Sequence, residues 1–181
     1  MYKTTKYNFP IVKKNANKSF VYAIEKGASR LIKKLVELDI QQLPISEYNR
    51  QYIKSFLKSP IGHIQKFSYL LCLGLGSCKN RLSDLTVIDY GGGSGIMSLL
   101  AKEIGIGKVI YNDIYDVSCD DIEITAKKLD LKLDHIVCGG IKCLISHIQE
   151  NNIRIDAIVS YDVIEHIYDI YDFFADLHRI N

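Results

Sequence analysis

The chain has 181 residues, a formal charge of +2, 48% hydrophobic and 24% charged residues, which is enough for one domain with its own core. Its longest apolar run, Tyr69–Gly76, is far too short to cross a bilayer, so no membrane span is expected. The charge is uneven: residues 1–80 hold 14 Lys and Arg against 4 Asp and Glu, and residues 81–181 hold 9 against 17. Either the basic front packs on the acidic back or it meets an anionic partner; solvated lysines on helix faces are the plainer account.

The five cysteines, Cys72, Cys78, Cys119, Cys138 and Cys143, make no C-x-x-C pair. The odd count and the lack of a leader-like apolar stretch after Met1 fit reduced thiols and a cytoplasmic location. The expectation is that these thiols pack as small apolar groups. His63, His135, His147 and His178 show no partner spacing, and no metal site is expected.

Residues 1–28 have no clean period and read as irregular or partly helical. A helix is expected from Ala28 to about Leu43, with Leu31, Ile32, Leu35, Val36 and Leu38 on one face, ended by Pro44. Ser46 can cap a second helix to about Lys58. Ser59-Pro60 can cap and start a third, which dissolves near Gly74 and Gly76. After the polar link Lys79–Asp84 the character changes. Short β-branched runs at Thr86–Tyr90, Lys108–Asn112, His135–Cys138 and Ile155–Ser160 alternate with helical stretches at Ser94–Ile104, Val117–Leu131, Ile141–Glu150 and Asp169–Ile180. That order predicts an α/β fold, a doubly wound parallel sheet of Rossmann type, over residues 81–181. Residues 1–80 form an N-terminal helical cap on this reading.

The informative stretch is Asp89-Tyr-Gly91-Gly-Gly93-Ser-Gly95, between the first strand and its helix. A glycine turn there offers unpaired N–H groups at a helix N-terminus. A dinucleotide fingerprint wants a sixth-position glycine counted from Gly91, where this chain has Ile96. That disfavours a nicotinamide-linked oxidoreductase, and no Gly-Lys-Ser/Thr follows for a P-loop. Asp89 beside the turn suits a ligand with a cationic group. Asp113, ending the second strand, can accept hydrogen bonds from both ribose hydroxyls, and Asn112 can share that role. Asp116, Asp120 and Asp121 read as first-turn acids of the next helix.

Asp89 through Gly95, then Asp113, then Asp156-Ala-Ile-Val-Ser-Tyr-Asp-Val-Ile-Glu-His166 resemble the class I S-adenosylmethionine-dependent methyltransferases, above all the branch that methylates small molecules. The resemblance covers about residues 84–181. It implies S-adenosyl-L-methionine as cofactor. Asp89 and the backbone of Gly91, Gly93 and Gly95 would hold its methionine end, and Asp113 with Ile114 its ribose side. Backbone of Gly140 and Ile141 would meet adenine, where the family often has an Asp and this chain has Gly140. Ser160 and Tyr161 would lie beside the cofactor. His166 has two readings: general base for an acceptor hydroxyl, or a histidine packed beside the pocket. Glu165 and Asp162 are alternative local bases.

The resemblance also implies further strands after a helix like Phe173–Arg179. The stop at Asn181 therefore suggests a fragment, a truncated product or half of a split protein, with the fourth strand at an edge open to a partner chain or a second copy. A non-catalytic interaction module is the alternative to an enzyme. Nucleic acid is not expected as acceptor, because Ser160-Tyr161-Asp162 lacks an Asn-Pro-Pro-Tyr-like segment.

Overall fold

The computed structural model describes residues 18–76 and 78–180, so the irregular start expected over residues 1–17 lies outside the described residues. Helix α1 spans Lys18–Glu37 and begins ten positions before the expected start. Its face reads Phe20, Val21, Ile24, Gly27, Ala28, Leu31 and Leu35. Gly27 interrupts the apolar pattern in the sequence, yet in the fold it is a contact point. A Cβ there would lie 2.5 Å from Ile104 Cγ2. A short 3-10 turn, Ile40–Gln42, follows α1, capped by the Asp39 side chain on the Gln41 N–H.

Helix α2 spans Glu47–Lys58, and its Ser46 cap accepts the Asn49 N–H at 3.2 Å, as expected. Helix α3 spans Pro60–Leu75. Ser59 precedes it without a side-chain cap bond, and Pro60 supplies the first helical position instead. The helix ends at Leu75, between the two glycines where it was expected to dissolve, and a Cβ at Gly74 would stand 3.2 Å from Val159 Cγ1.

Strands β1 (Thr86–Tyr90), β2 (Lys108–Asp113), β3 (His135–Cys138) and β4 (Ala157–Ser160) form one sheet in the order β3-β2-β1-β4. All pairs are parallel, with Asp89 opposite Tyr111 and Val159, and Asp113 opposite Cys138. Helices α4 (Ile96–Glu103), α5 (Asp116–Lys128), α6 (Ile141–Glu150) and α7 (Ile170–Leu177) follow the four strands in turn. Side chains alternate across the sheet. Val87, Val109, Tyr111 and Val159 join the core shared with α1, α3, α4 and α5. Ile88, Tyr90, Ile110 and Val137 join the core shared with α6 and α7. This is the doubly wound α/β fold that the alternation predicted, and it brings the turns after all four strands to one end of the sheet.

The basic front does pack on the acidic back at one buried point. Glu103 takes Arg30 Nε on Oε2 at 2.9 Å and lies 2.6 Å from Lys34 Nζ through Oε1. Asp121 corrects an expectation. It is buried in α5 beyond the first turn, accepts the Ser46 N–H at 3.0 Å and Asn49 Nδ2 at 2.8 Å, and binds the Ser46 hydroxyl, so it anchors α2 rather than serving as a first-turn acid. Two more corrections concern His and Cys. His147 Nε2 and His135 Nδ1 meet at 3.0 Å between α6 and β3. Cys138 and Cys143 are exposed, not packed. No helix among the described residues is long and apolar enough to cross a membrane, and no cluster of three or more His, Cys, Asp or Glu among them could hold a metal.

Candidate functional site

The turn after β1 is built from left-handed backbone. Gly91, Gly93 and Gly95 have φ of +68°, +52° and +74°. Space around them differs. An added Cβ would stand 2.4 Å from Val163 at Gly91, 2.5 Å from Tyr111 at Gly92 and 2.0 Å from Ile122 at Gly95. At Gly93 it would meet nothing within 4 Å. Three glycines are thus demanded by the chain's own side chains, while Gly93 opens outward.

Gly93 is held through both of its backbone polar groups. Its N–H donates to Asp113 Oδ2 at 2.8 Å, and its carbonyl accepts the Tyr111 hydroxyl at 2.6 Å. Tyr111 is fully buried. Burial, then the charges of Asp113 and Asp89, push its pKa up, so its hydroxyl remains a donor. Sequence reasoning passed over Tyr111. The signal was a tyrosine in a strand buried on both faces, whose hydroxyl needs a partner.

Asp89 lies under the turn, 1% exposed. Oδ2 accepts the Ser98 N–H at 3.0 Å and its hydroxyl at 2.7 Å, satisfying one open donor of the first turn of α4. Oδ1 is buried without a hydrogen-bond partner. Burial pushes the carboxyl up to about 6 against the Ser98 bonds, with the Asp113 charge adding to the rise. One oxygen thus holds the helix, and the other is a buried acceptor without a donor.

Asp113 is 6% exposed and holds backbone with both oxygens, Oδ2 on Gly93 and Oδ1 on the Tyr115 N–H at 3.0 Å. Asn112 is buried, and its amide donates to the Val137 and Gly139 carbonyls at 2.8 Å each, tying β2 to the turn after β3. Ile114 is exposed beside Tyr115, whose ring meets Tyr48 of α2 edge-on at 6.5 Å.

Gly140 precedes α6, and an added Cβ there meets nothing within 4 Å, a second open stretch of backbone. The N–H of Ile141 is engaged by the Tyr90 hydroxyl. Past β4, the Ser160 hydroxyl donates to the Tyr90 carbonyl at 3.0 Å. The Tyr161 hydroxyl accepts Lys66 Nζ at 2.9 Å, and its ring meets Phe67 edge-on at 5.5 Å. Asp162 has φ of +53°, a backbone state that Asp tolerates better than most residues. It delivers Val163 onto Gly91. His166 ends the following 3-10 turn, Ile164–His166, and is exposed.

Asp89, the glycine turn, Asp113, Gly140, Ser160 and Tyr161 thus lie at the carboxyl ends of the strands, with Tyr48 of α2 beside Tyr115 and Lys66 and Phe67 of α3 beside Tyr161, while His166 stands further along in its 3-10 turn. No curated protein and no solved structure matches the chain. A family model described as "Methyltransferase domain" matches residues 46–180, from the cap of α2 to the end of the described chain. By that match the chain belongs to the class I methyltransferase family.

Proposed function

We propose that the protein is an S-adenosyl-L-methionine-dependent methyltransferase acting on a small-molecule acceptor. The observation that carries this reading is the unpaired, buried Asp89 Oδ1 beneath a turn whose Gly93 opens onto free space. An α-ammonium is the donor such an oxygen lacks. Backbone of Gly91, Gly93 and Gly95 would carry the amino-acid end. Asp113 has carboxylate lone pairs left beyond its two backbone bonds for ribose hydroxyls, and Ile114 would flank the sugar. The open backbone at Gly140, with Ile141, would border adenine, and Ser160 and Tyr161 the far side. When bound, the cofactor supplies a methyl group already activated on a sulfonium. The chain's work is then to orient the acceptor and exclude water. His166, three residues past the Val163 that packs on Gly91, would take the proton from an acceptor hydroxyl. The α1–α3 segment would act as a cap, with Tyr48, Phe67 and Lys66 walling the acceptor. A cytoplasmic location goes with this reading.

Calorimetry with S-adenosylhomocysteine tests it. Binding is expected, and Asp89→Ala should abolish it. A folded sample that gives no heat overturns the assignment.

A second reading is an interaction module completed by a partner chain or a second copy. Its support is the exposure of Tyr168, Tyr171 and Phe174 in and before α7, with β4 at an edge of the sheet. Sedimentation at rising concentration separates the two readings, since a cofactor-binding strict monomer needs no partner.

A further inference from the structure

Two cysteines flank the backbone of Asp113. Cys138 ends β3 and pairs with Asp113 across the β2–β3 ladder. Cys119, in the first turns of α5, donates its thiol to the Asp113 carbonyl at 3.7 Å. The same carbonyl accepts the N–H of Gly139, the residue after Cys138, at 2.8 Å. The Cys119 thiol and the backbone that follows Cys138 therefore converge on one carbonyl. Their environments differ. Cys138 is exposed and borders an open groove along α6 with Lys142, Cys143 and His147. Cys119 is buried. Burial first, then hydrogen bonding and charge from the adjacent Cys138 thiol, push Cys119 up to about 12. The Cys119 thiol is thus within hydrogen-bonding reach of the Cys138 thiol.

We propose that Cys138 and Cys119 are an oxidation site, closed to a disulfide by hydrogen peroxide, and that the bridge blocks the adenine and ribose side of the site. The part about blocking rests on the cofactor reading above; the bridge itself does not. The exposed Cys138 thiolate attacks one peroxide oxygen. The O–O bond breaks, the other oxygen leaves as hydroxide and is protonated to water, and Cys138 becomes a sulfenic acid. The Cys119 sulfur then attacks the Cys138 sulfur. The S–O bond breaks, and the hydroxyl leaves as water with the Cys119 proton. Two thiols and one peroxide give one disulfide and two waters. Cys119 is suited to the second step only. Its ionisation is opposed by the Cys138 thiolate, and that opposition ends once Cys138 is a sulfenic acid. The bridge would pin the start of α5 to the end of β3 across Asp113, one residue from Gly139 and two from Gly140.

The test is peroxide treatment of the folded full chain, alkylation of remaining thiols and peptide mapping by mass spectrometry. A Cys119–Cys138 peptide is expected, kept in Cys143→Ser and lost in Cys138→Ser. In Cys119→Ser, Cys138 should be trapped by dimedone as its sulfenic acid. A Cys138–Cys143 bridge, or none, overturns the pairing. Calorimetry with S-adenosylhomocysteine on reduced and oxidised protein then reads the consequence. Affinity should fall by about ten-fold or more, within the usual span of coupling between sites, and return with dithiothreitol. Equal affinity in both forms overturns the block. Absence of binding by the reduced protein overturns the cofactor reading and, with it, the block, while the mapped bridge decides the oxidation site by itself.

Discussion

Asp113 holds the amide of Gly93: its Oδ2 accepts that N–H at 2.8 Å, so the acid assigned to a ribose is already part of the glycine turn. Removing it should cost stability as well as binding. Asp113→Ala leaves the Gly93 and Tyr115 N–H groups without acceptors and is expected to lose about 1–3 kcal/mol in urea unfolding. Asp113→Asn keeps one acceptor oxygen, so it should fold closer to wild type while still losing S-adenosylhomocysteine affinity. Wild-type affinity in the Asn variant would remove the ribose role.

Gly93 and Gly95 should separate function from folding. Both have positive φ, but only Gly95 is filled, with Ile122 Cδ1 2.0 Å from an added Cβ. Gly93→Ala is expected to cost only the left-handed backbone penalty, about 1–2 kcal/mol, and to lose ligand binding. Gly95→Ala adds a clash within the core and should lose more stability than Gly93→Ala. Paired thermal melts and calorimetry check this. Equal destabilisation of the two would mean that the space above Gly93 is not open.

Asp89 should be a stability liability near neutral pH. Its carboxyl is raised to about 6 from an ordinary 3.8, burial being the main cause. The folded chain therefore binds the proton more tightly than the unfolded chain. The resulting stabilisation is full below pH 3.8 and is lost as pH rises through about 6. Asp89→Asn can still accept the two Ser98 bonds and carries no charge. Its stability relative to wild type should climb between those two values and then level off. Its ligand affinity should fall. A pH-independent difference in melting temperature would count against the buried charge.

His135 runs the other way. Burial, then His147, hold its pKa below the usual 6.5, with Asp134 opposing and Lys108 assisting. Its contribution is present above 6.5 and is lost as pH falls through the lowered folded value. His135→Gln should flatten the loss of urea midpoint between pH 6.5 and that lowered value. An unchanged acid limb in the variant would show that the pair between β3 and α6 is not what titrates.

Asp121 should matter as much as a core residue. Asp121→Ala strips the Ser46 N–H and Asn49 amide of their acceptor and frees α2 from α5. A loss of about 1–3 kcal/mol is expected. Hydrogen exchange should localise the change to residues 46–58.

The fold was legible because its signals are local. Apolar strand runs of four to six residues alternate with amphipathic helices, and every strand falls within two residues of its expected bounds. The helix α1 was expected to start at Ala28 but runs through Gly27, where the missing side chain lets it approach the end of α4 closely. The turn was legible because alternate glycines there carry positive φ. What could not be read was pairing between distant residues. Tyr111 with Gly93, Asp121 with Ser46 and His135 with His147 are separated by 18, 75 and 12 positions. Only tertiary packing brings them together.

Tyr111 and Asp113 stand two apart on β2 and hold the N–H and the carbonyl of one residue, Gly93. A strand that slipped by one position would turn both side chains to the opposite face together. No misregistered sheet can keep half of that grip. Ligand binding at the turn is thus a proofreading signal for the whole sheet: a chain that binds has its central strands correctly aligned.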